Sequence, residues 1–285
     1  MKHNAEPACA ALLQHLDVLM VKPRFPENIG MAARAMANMG AGSLLLAQPE
    51  RWDAAPAPAT PDTPDAANGI TAPRVPTEAS HTAKARRLST PKGEHILQNA
   101  RVFATVSAAL TPYALVVGTT ARTGGWRREI ATPEQAAHDI VDRLAAGERV
   151  ALVFGPEDRG LENDEIACCQ RLVTIPTAGL ASLNVAQALL VLLYECRKAA
   201  LARSARPQSA PTPDEYTTLP HIHFADQERL FATLKETLLA LDFLHGNNPN
   251  YFLLPLRRFL GRSGLRRHEY DALMGVCRQI RNKIK

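Results

Sequence analysis

Residues 151–157 read ALVFGPE and residues 114–120 read ALVVGTT: two short apolar runs that each end in glycine and then in polar residues. A third run, TIP at 174–176, passes into the polar stretch 177–184. Short apolar runs without polar alternation are expected of parallel strands buried on both faces. In an open α/β sheet, ligands sit beyond the carboxyl ends of the strands, and glycine there lets the backbone approach what is bound. The three loops therefore predict one shared pocket.

Outward from these runs, residues 16–21, 43–47, 101–106, 114–117, 150–154 and 172–175 read as strands, and residues 28–39 and 133–146 as helices. Strands alternating with helices predict an α/β fold, a parallel sheet with helices on both faces. Residues 53–76 shift to Ala, Pro, Thr and Asp with no hydrophobic period, which marks an insertion. A basic segment with Lys84, Arg86, Arg87 and Lys92 follows it. Residues 203–214 read as a Pro- and Ser-containing linker. Beyond it, Leu230, Leu234, Leu238 and Leu241 mark one amphipathic helix, and Tyr270, Leu273, Cys277 and Ile280 another. The expected organisation is thus an α/β domain at 1–202 and a small all-helical domain at 215–285. From Arg257 onward the helical part carries Arg258, Arg262, Arg266, Arg267, Arg278, Arg281, Lys283 and Lys285 against only Glu269 and Asp271, a charge that can follow phosphates.

The chain has 285 residues, 46% hydrophobic and 21% charged, a formal net charge of +5 and a pI near 9.1. That is enough chain for a sizeable core, and the mild basicity is compatible with an acidic partner. Its five cysteines form no CxxC pair and are odd in number, which argues against a disulfide framework and a structural zinc site. No cationic leader with a long apolar run and no bilayer-length apolar stretch is visible, so a cytoplasmic protein without membrane anchor or metal is expected.

The first strand is followed by KPRFPENIG, which lacks the GxGxxG of a Rossmann-type nucleotide site. Asn28 and Arg34, in NIGMAARAMANMG (28–40), could face one site or could be a helix cap and a surface charge. Glu157, at a strand end, could position a hydroxyl or be an exposed turn acid. Ser182 and Asn184 stand just before an apolar helix, where either could cap it.

Taken in order, residues 28–40, 153–165 (VFGPEDRGLENDE) and 181–195 (ASLNVAQALLVLLYE) resemble the three signature motifs of the SPOUT superfamily, in its TrmH-like branch of RNA ribose 2'-O-methyltransferases. The resemblance implies a C-terminal deep trefoil knot, S-adenosyl-L-methionine as methyl donor, and a homodimer whose active site is completed across subunits. It implies catalytic roles for Asn28, Arg34, Glu157, Ser182 and Asn184. It also implies that Gly118, Thr119, Thr120, Gly155, Ile175 and Leu183 hold the cofactor, largely through backbone groups. The family arginine is held to help deprotonate the ribose hydroxyl. A guanidinium stays protonated, so binding phosphate and stabilising developing alkoxide charge is the easier chemistry.

Residues 99–122 and 234–281 are further similar to the TrmJ group, tRNA cytidine/uridine 2'-O-methyltransferases acting on nucleotide 32 of the anticodon loop. The insertion and the TGGWRR stretch at 123–128 depart from that group. The competing readings are a methyltransferase for ribosomal RNA or another tRNA position, and a catalytically silent RNA-binding module. The presence of all five candidate catalytic residues disfavours silence.

Overall fold

The computed structural model describes residues 5–52, 81–122, 130–178, 183–205, 219–244 and 249–284. The expected insertion, the TGGWRR stretch, most of the expected linker and Ser182 lie outside the described residues.

Among the described residues seven strands form one sheet: β1 (Leu16–Val21), β2 (Leu44–Ala47), β3 (Arg101–Phe103), β4 (Leu115–Thr119), β5 (Ile130–Ala131), β6 (Val150–Phe154) and β7 (Arg171–Val173). Their order is β3-β2-β1-β6-β4-β7-β5, and every pairing is parallel. The strands β1, β2 and β6 are buried at every residue, which is why their sequences are apolar apart from Asp17 of β1. From β1 the chain moves out to β2 and β3, then returns to the other side of β1 for the remaining strands. The crevice between β1 and β6 is therefore the topological switch point, where α/β sheets bind ligands.

Alternate strand residues serve two cores. One face carries Val18, Met20, Leu46, Val117, Leu152 and Phe154 and is covered by α1 (Ala5–Leu13), α2 (Pro26–Met39), α5 (Pro133–Ala145) and α7 (Val185–Ser204). The other carries Leu19, Val21, Leu45, Val116, Ala151 and Val153 beneath α4 (Val106–Leu110) and α6 (Asn163–Ala167). The basic segment after the insertion forms α3 (His81–Gln98), kinked at Thr90 and Pro91 and packed on α2. The short helices α1, α4 and α6 and the two-residue β5 have too few residues to show a period, so sequence patterning did not reveal them.

Three helices follow: α8 (Phe224–Ala240), α9 (Pro249–Ser263) and α10 (Arg267–Ile284). Ile222, Leu230, Leu260, Leu265 and Tyr270 form a small core of their own. Among the described residues, no helix is long and apolar enough to cross a membrane. Several cations of this region hold its helices together: Arg257 pairs with Glu228 and lies over Phe231, Arg267 pairs with Asp226 and Asp271, and Arg281 pairs with Glu236. The tail's charge count thus overstates what it displays to a partner.

The helical unit docks on the second face of the sheet. Phe224 is 2% exposed and joins that core, and its backbone N–H donates to the Tyr113 carbonyl at 2.9 Å. Beside it the Glu148 carboxylate takes the backbone N–H of His221 at 3.1 Å, lies 2.6 Å from His221 Nδ1, and pairs with Arg143 at 2.8 Å. Burial raises this carboxyl, but the His221 hydrogen bond and the Arg143 pairing outweigh it and hold it at about 2 against the usual 4.5. A carboxyl so depressed contributes stability that is complete above about pH 4.5 and is lost as the pH falls toward about 2. Glu148→Gln is expected to lower stability by about 2 kcal/mol at neutral pH. In urea melts, the gap between wild type and variant should close through that acid window.

Candidate active site

Three distant segments meet in one chain of hydrogen bonds at the carboxyl ends of β1 and β6. Asn184 is the N-cap of α7, and its side-chain oxygen accepts from the backbone N–H groups of Ala186 and Gln187. That bond fixes its amide nitrogen outward, where it donates to Asn28 Oδ1 at 2.9 Å. Asn28 Nδ2 then donates to Glu157 Oε1 at 2.8 Å, and the second Glu157 oxygen accepts the Arg24 backbone N–H at 3.2 Å. Each group is used in the only sense that the previous one allows, so the helix cap sets the polarity of the whole relay. Asn28 is 5% exposed, and these partners compensate its burial. Asn184 is thus both the cap of α7 and a member of the relay, and Asn28 is a buried relay and not a cap, since Phe25 occupies that position of α2.

The loop between β1 and α2 is clamped to the loop after β6. Arg24 pairs with Asp158 at 2.7 Å and with Glu50 at 3.2 Å. Lys22 pairs with Glu165 at 3.1 Å and Glu162 at 3.6 Å, and the hydrogen bond to Glu165 raises its ammonium above the usual range. Lys22 takes a φ of 45°, a left-handed conformation uncommon outside glycine, which marks a backbone held in place by its surroundings. Arg24 and Lys22 were not singled out from the sequence; the signal available was a loop carrying two prolines and two cations directly after a buried strand.

Beside the relay lies a cavity of about 290 Å³ whose lining includes Thr119, Thr120, Gly155, Glu157, Ile175 and Leu183. Its volume is near the lower end of the roughly 300–1,000 Å³ usual for small-molecule sites. Phe154, Leu161, Val173, Val185 and Ala188 supply apolar walls, and Ala121, Arg122, Asp158 and Arg159 part of the rim. A Cβ on Gly155 would overlap the backbone of Gly160 and Leu161, so only glycine lets this loop fold back and present its backbone to the cavity. Thr119 donates its hydroxyl to the Val153 carbonyl at 3.1 Å, and Thr120 donates to the Arg122 carbonyl at 3.0 Å. Both hydroxyl protons are committed to the walls, and Gly155 and Gly160 bring bare backbone to the lining. An apolar cleft with exposed backbone and nearby carboxylates fits a neutral heterocycle joined to a cationic centre. Among the described residues no group of three His, Cys, Asp or Glu could hold a metal.

Two expected site residues lie elsewhere. Gly118 is not part of the cavity lining; a Cβ there would meet Cys169 Sγ at 2.6 Å, so this glycine serves packing beneath the sheet. Arg34 is exposed, has no side-chain hydrogen bond or ion pair among the described residues, and does not line the cavity. Six residues of helix separate it from Asn28, roughly 120° around the axis at about 100° per residue, so one helix cannot aim both at one point. Cys168, Cys169 and Cys196 remain thiols: burial pushes them up, Cys168 to about 11 and Cys196 to about 12.

Comparison with known proteins bears on what this site is. A family model described as SpoU rRNA Methylase matches residues 67–194, and one for the C-terminal domain of the tRNA methyltransferase TrmJ matches residues 225–285. A tRNA (cytidine/uridine/adenosine-2'-O-)-methyltransferase TrmJ of Pseudomonas aeruginosa is 34% identical over 268 residues, 93% of either chain. The chain belongs to the TrmJ family. A tRNA (cytidine/uridine-2'-O-)-methyltransferase TrmJ of Escherichia coli is 30% identical over 275 residues, covering 96% of this TrmJ-family chain and 98% of its own. The crystal structure of TrmJ from Z. mobilis superposes with a TM-score of 0.69 at 27% identity, covering 93% of this chain and 98% of that one. Asn28→Ala is expected to leave Asn184 and Glu157 without their shared partner, costing roughly 1–3 kcal/mol. A lowered urea midpoint with an unchanged m-value checks this.

Proposed function

We propose that this chain transfers the methyl group of S-adenosyl-L-methionine to a ribose 2'-hydroxyl in tRNA, at nucleotide 32 of the anticodon loop. The observation that carries the reading is the Asn184–Asn28–Glu157 relay opening beside an apolar, backbone-lined cavity. S-adenosyl-L-methionine would lie among Gly155, Ile175, Leu183, Thr119 and Thr120 and would supply an electrophilic methyl group. Both Glu157 oxygens already accept one hydrogen bond, and each keeps a second lone pair with which to take a ribose hydroxyl. Asn28 and the Arg24 backbone hold that carboxylate still, so alignment and exclusion of water contribute much of the rate. Ser182 is assigned to the same pocket by its place in the third motif.

A second copy of the chain supplies what one copy does not bring. Leu183, Leu190 and Tyr194 are 38%, 41% and 54% exposed, and Met31 on the adjoining helix is 36% exposed. Leu190 and Tyr194 lie one turn apart on α7, and with Leu183 just before the helix they give an apolar edge beside α2. Leu183 also lines the cavity. In an isologous dimer on this face, Arg34 of one copy meets the cavity rim of the other. There it would bind phosphate and stabilise alkoxide charge as the hydroxyl proton passes to the Glu157 carboxylate and the methyl group leaves its sulfonium behind as a neutral thioether. The chain after β7 would complete a trefoil knot under this interface, and the protein would act in the cytoplasm.

The deciding experiment is transfer of labelled methyl from S-adenosyl-L-methionine to unmodified tRNA and ribosomal RNA, followed by nucleoside mapping. Label in a 2'-O-methylnucleoside at position 32 of tRNA is expected. Label in ribosomal RNA only would overturn the substrate, and neither transfer nor cofactor binding would favour a silent module. Arg34→Ala should lower kcat at least about 100-fold with cofactor affinity nearly intact; a variant at wild-type rate would remove Arg34 from the mechanism. Truncation after Ala202 should weaken tRNA binding in a filter assay, whereas unchanged affinity would show that α8–α10 serve something else.

A further inference from the structure

Phe25 is an aromatic residue where local physics favours something else. It is the N-cap of α2, with φ −109° and ψ 113°, and makes no side-chain capping bond. Ser, Thr, Asp or Asn at such a position satisfies a free helix N–H, which phenylalanine cannot do. It is also 47% exposed, so its ring gains little from burial. Its backbone is nevertheless firmly set. Buried Pro23 and Pro26 flank the Arg24–Phe25 pair, and a following proline holds Phe25 in the extended region. On one side Arg24 gives its N–H to Glu157 and its guanidinium to Asp158 and Glu50. On the other the Phe25 carbonyl accepts the Asn28 N–H at 3.0 Å. An exposed ring is thus mounted on a rigid loop between the two residues that anchor the relay.

We infer that Phe25 is the platform on which the base of the methylated nucleotide stacks while its ribose lies at Glu157. This rests on the tRNA-methylation reading and extends it to a base contact. Single-stranded RNA is recognised by splaying bases onto exposed aromatic side chains, and such stacking tolerates different bases because every base offers a π-face. Phosphates flanking the nucleotide would meet the cations at the cavity rim, where Arg122 and Arg159 lie. Phe25 is a positioning residue: it touches the base and leaves proton and methyl transfer to other groups.

The test compares Phe25→Ala, Phe25→Leu, Phe25→Tyr and Phe25→Trp in the full-length protein on an unmodified tRNA transcript. Alanine and leucine are expected to lower kcat/KM for tRNA roughly 5- to 100-fold, mostly through KM, while tyrosine and tryptophan stay within about threefold of wild type. Cofactor affinity by calorimetry and melting temperature should be unchanged in all four. Leucine performing as well as phenylalanine would show a merely apolar contact, and alanine at wild-type kcat/KM would show no contact; either result overturns the inference. A change of oligomeric state in Phe25→Ala by sedimentation would place Phe25 in a subunit contact and overturn it too. A wild-type protein that methylates no tRNA would defeat the function itself, and this inference with it.

Discussion

The structure depends on one directional constraint: a helix N-cap at Asn184 dictates the orientation of two further side chains. Because its oxygen is committed to the first turn of α7, its nitrogen must donate, so Asn28 must accept there and donate to Glu157. A neutral amide is suited to this because it carries donor and acceptor on one planar group. Residues 129 and 156 positions apart from Asn28 are thereby brought into one relay without any charge being buried unpaired. The same bonds that begin the last helix of the α/β unit therefore shape the candidate active site.

The sheet makes this possible by bringing the segments to one end. Parallel pairing of β1 with β6 sets Met20 beside Phe154, so the loops that follow leave the sheet side by side. The Arg24–Asp158 and Lys22–Glu165 pairs then join those loops to each other. The Arg24–Asp158 pair is exposed and contributes little to stability, and the value of both pairs lies in fixing the backbone that presents Glu157. At the opposite end of β1, Asp17 is fully buried and accepts from Tyr113 at 2.6 Å and from the Ser43 N–H at 2.5 Å, with Arg149 as its ionic partner. Both ends of β1 are thus tied by polar contacts, one beneath the sheet core and one at the candidate active site.

Much of the fold was legible because buried parallel strands write themselves as short, largely apolar runs. The expected 16–21 and 150–154 coincide with β1 and β6, while 101–106 overran β3, whose continuation turns into α4. Helix α3 escaped notice because its basic residues mask a period that Ala85, Ser89, Gly93, Ile96 and Leu97 carry. Glycine spacing at strand ends pointed to loops that line one cavity. It did not separate Gly155, which lets a loop fold back at the cavity, from Gly118, which accommodates Cys169. The six-residue spacing itself sets Asn28 and Arg34 roughly 120° apart on α2; which of the two faces is buried follows from what packs against the helix.

The most direct test of the central claim is the coupling between Glu157→Gln and Asn184→Ala in urea melts, measured with Asn28 present and again in an Asn28→Ala background. The two residues communicate through Asn28, so a coupling of about 1 kcal/mol is expected in the first cycle and none in the second, the lost helix cap cancelling in both. Additivity within about 0.3 kcal/mol with Asn28 intact would contradict the relay.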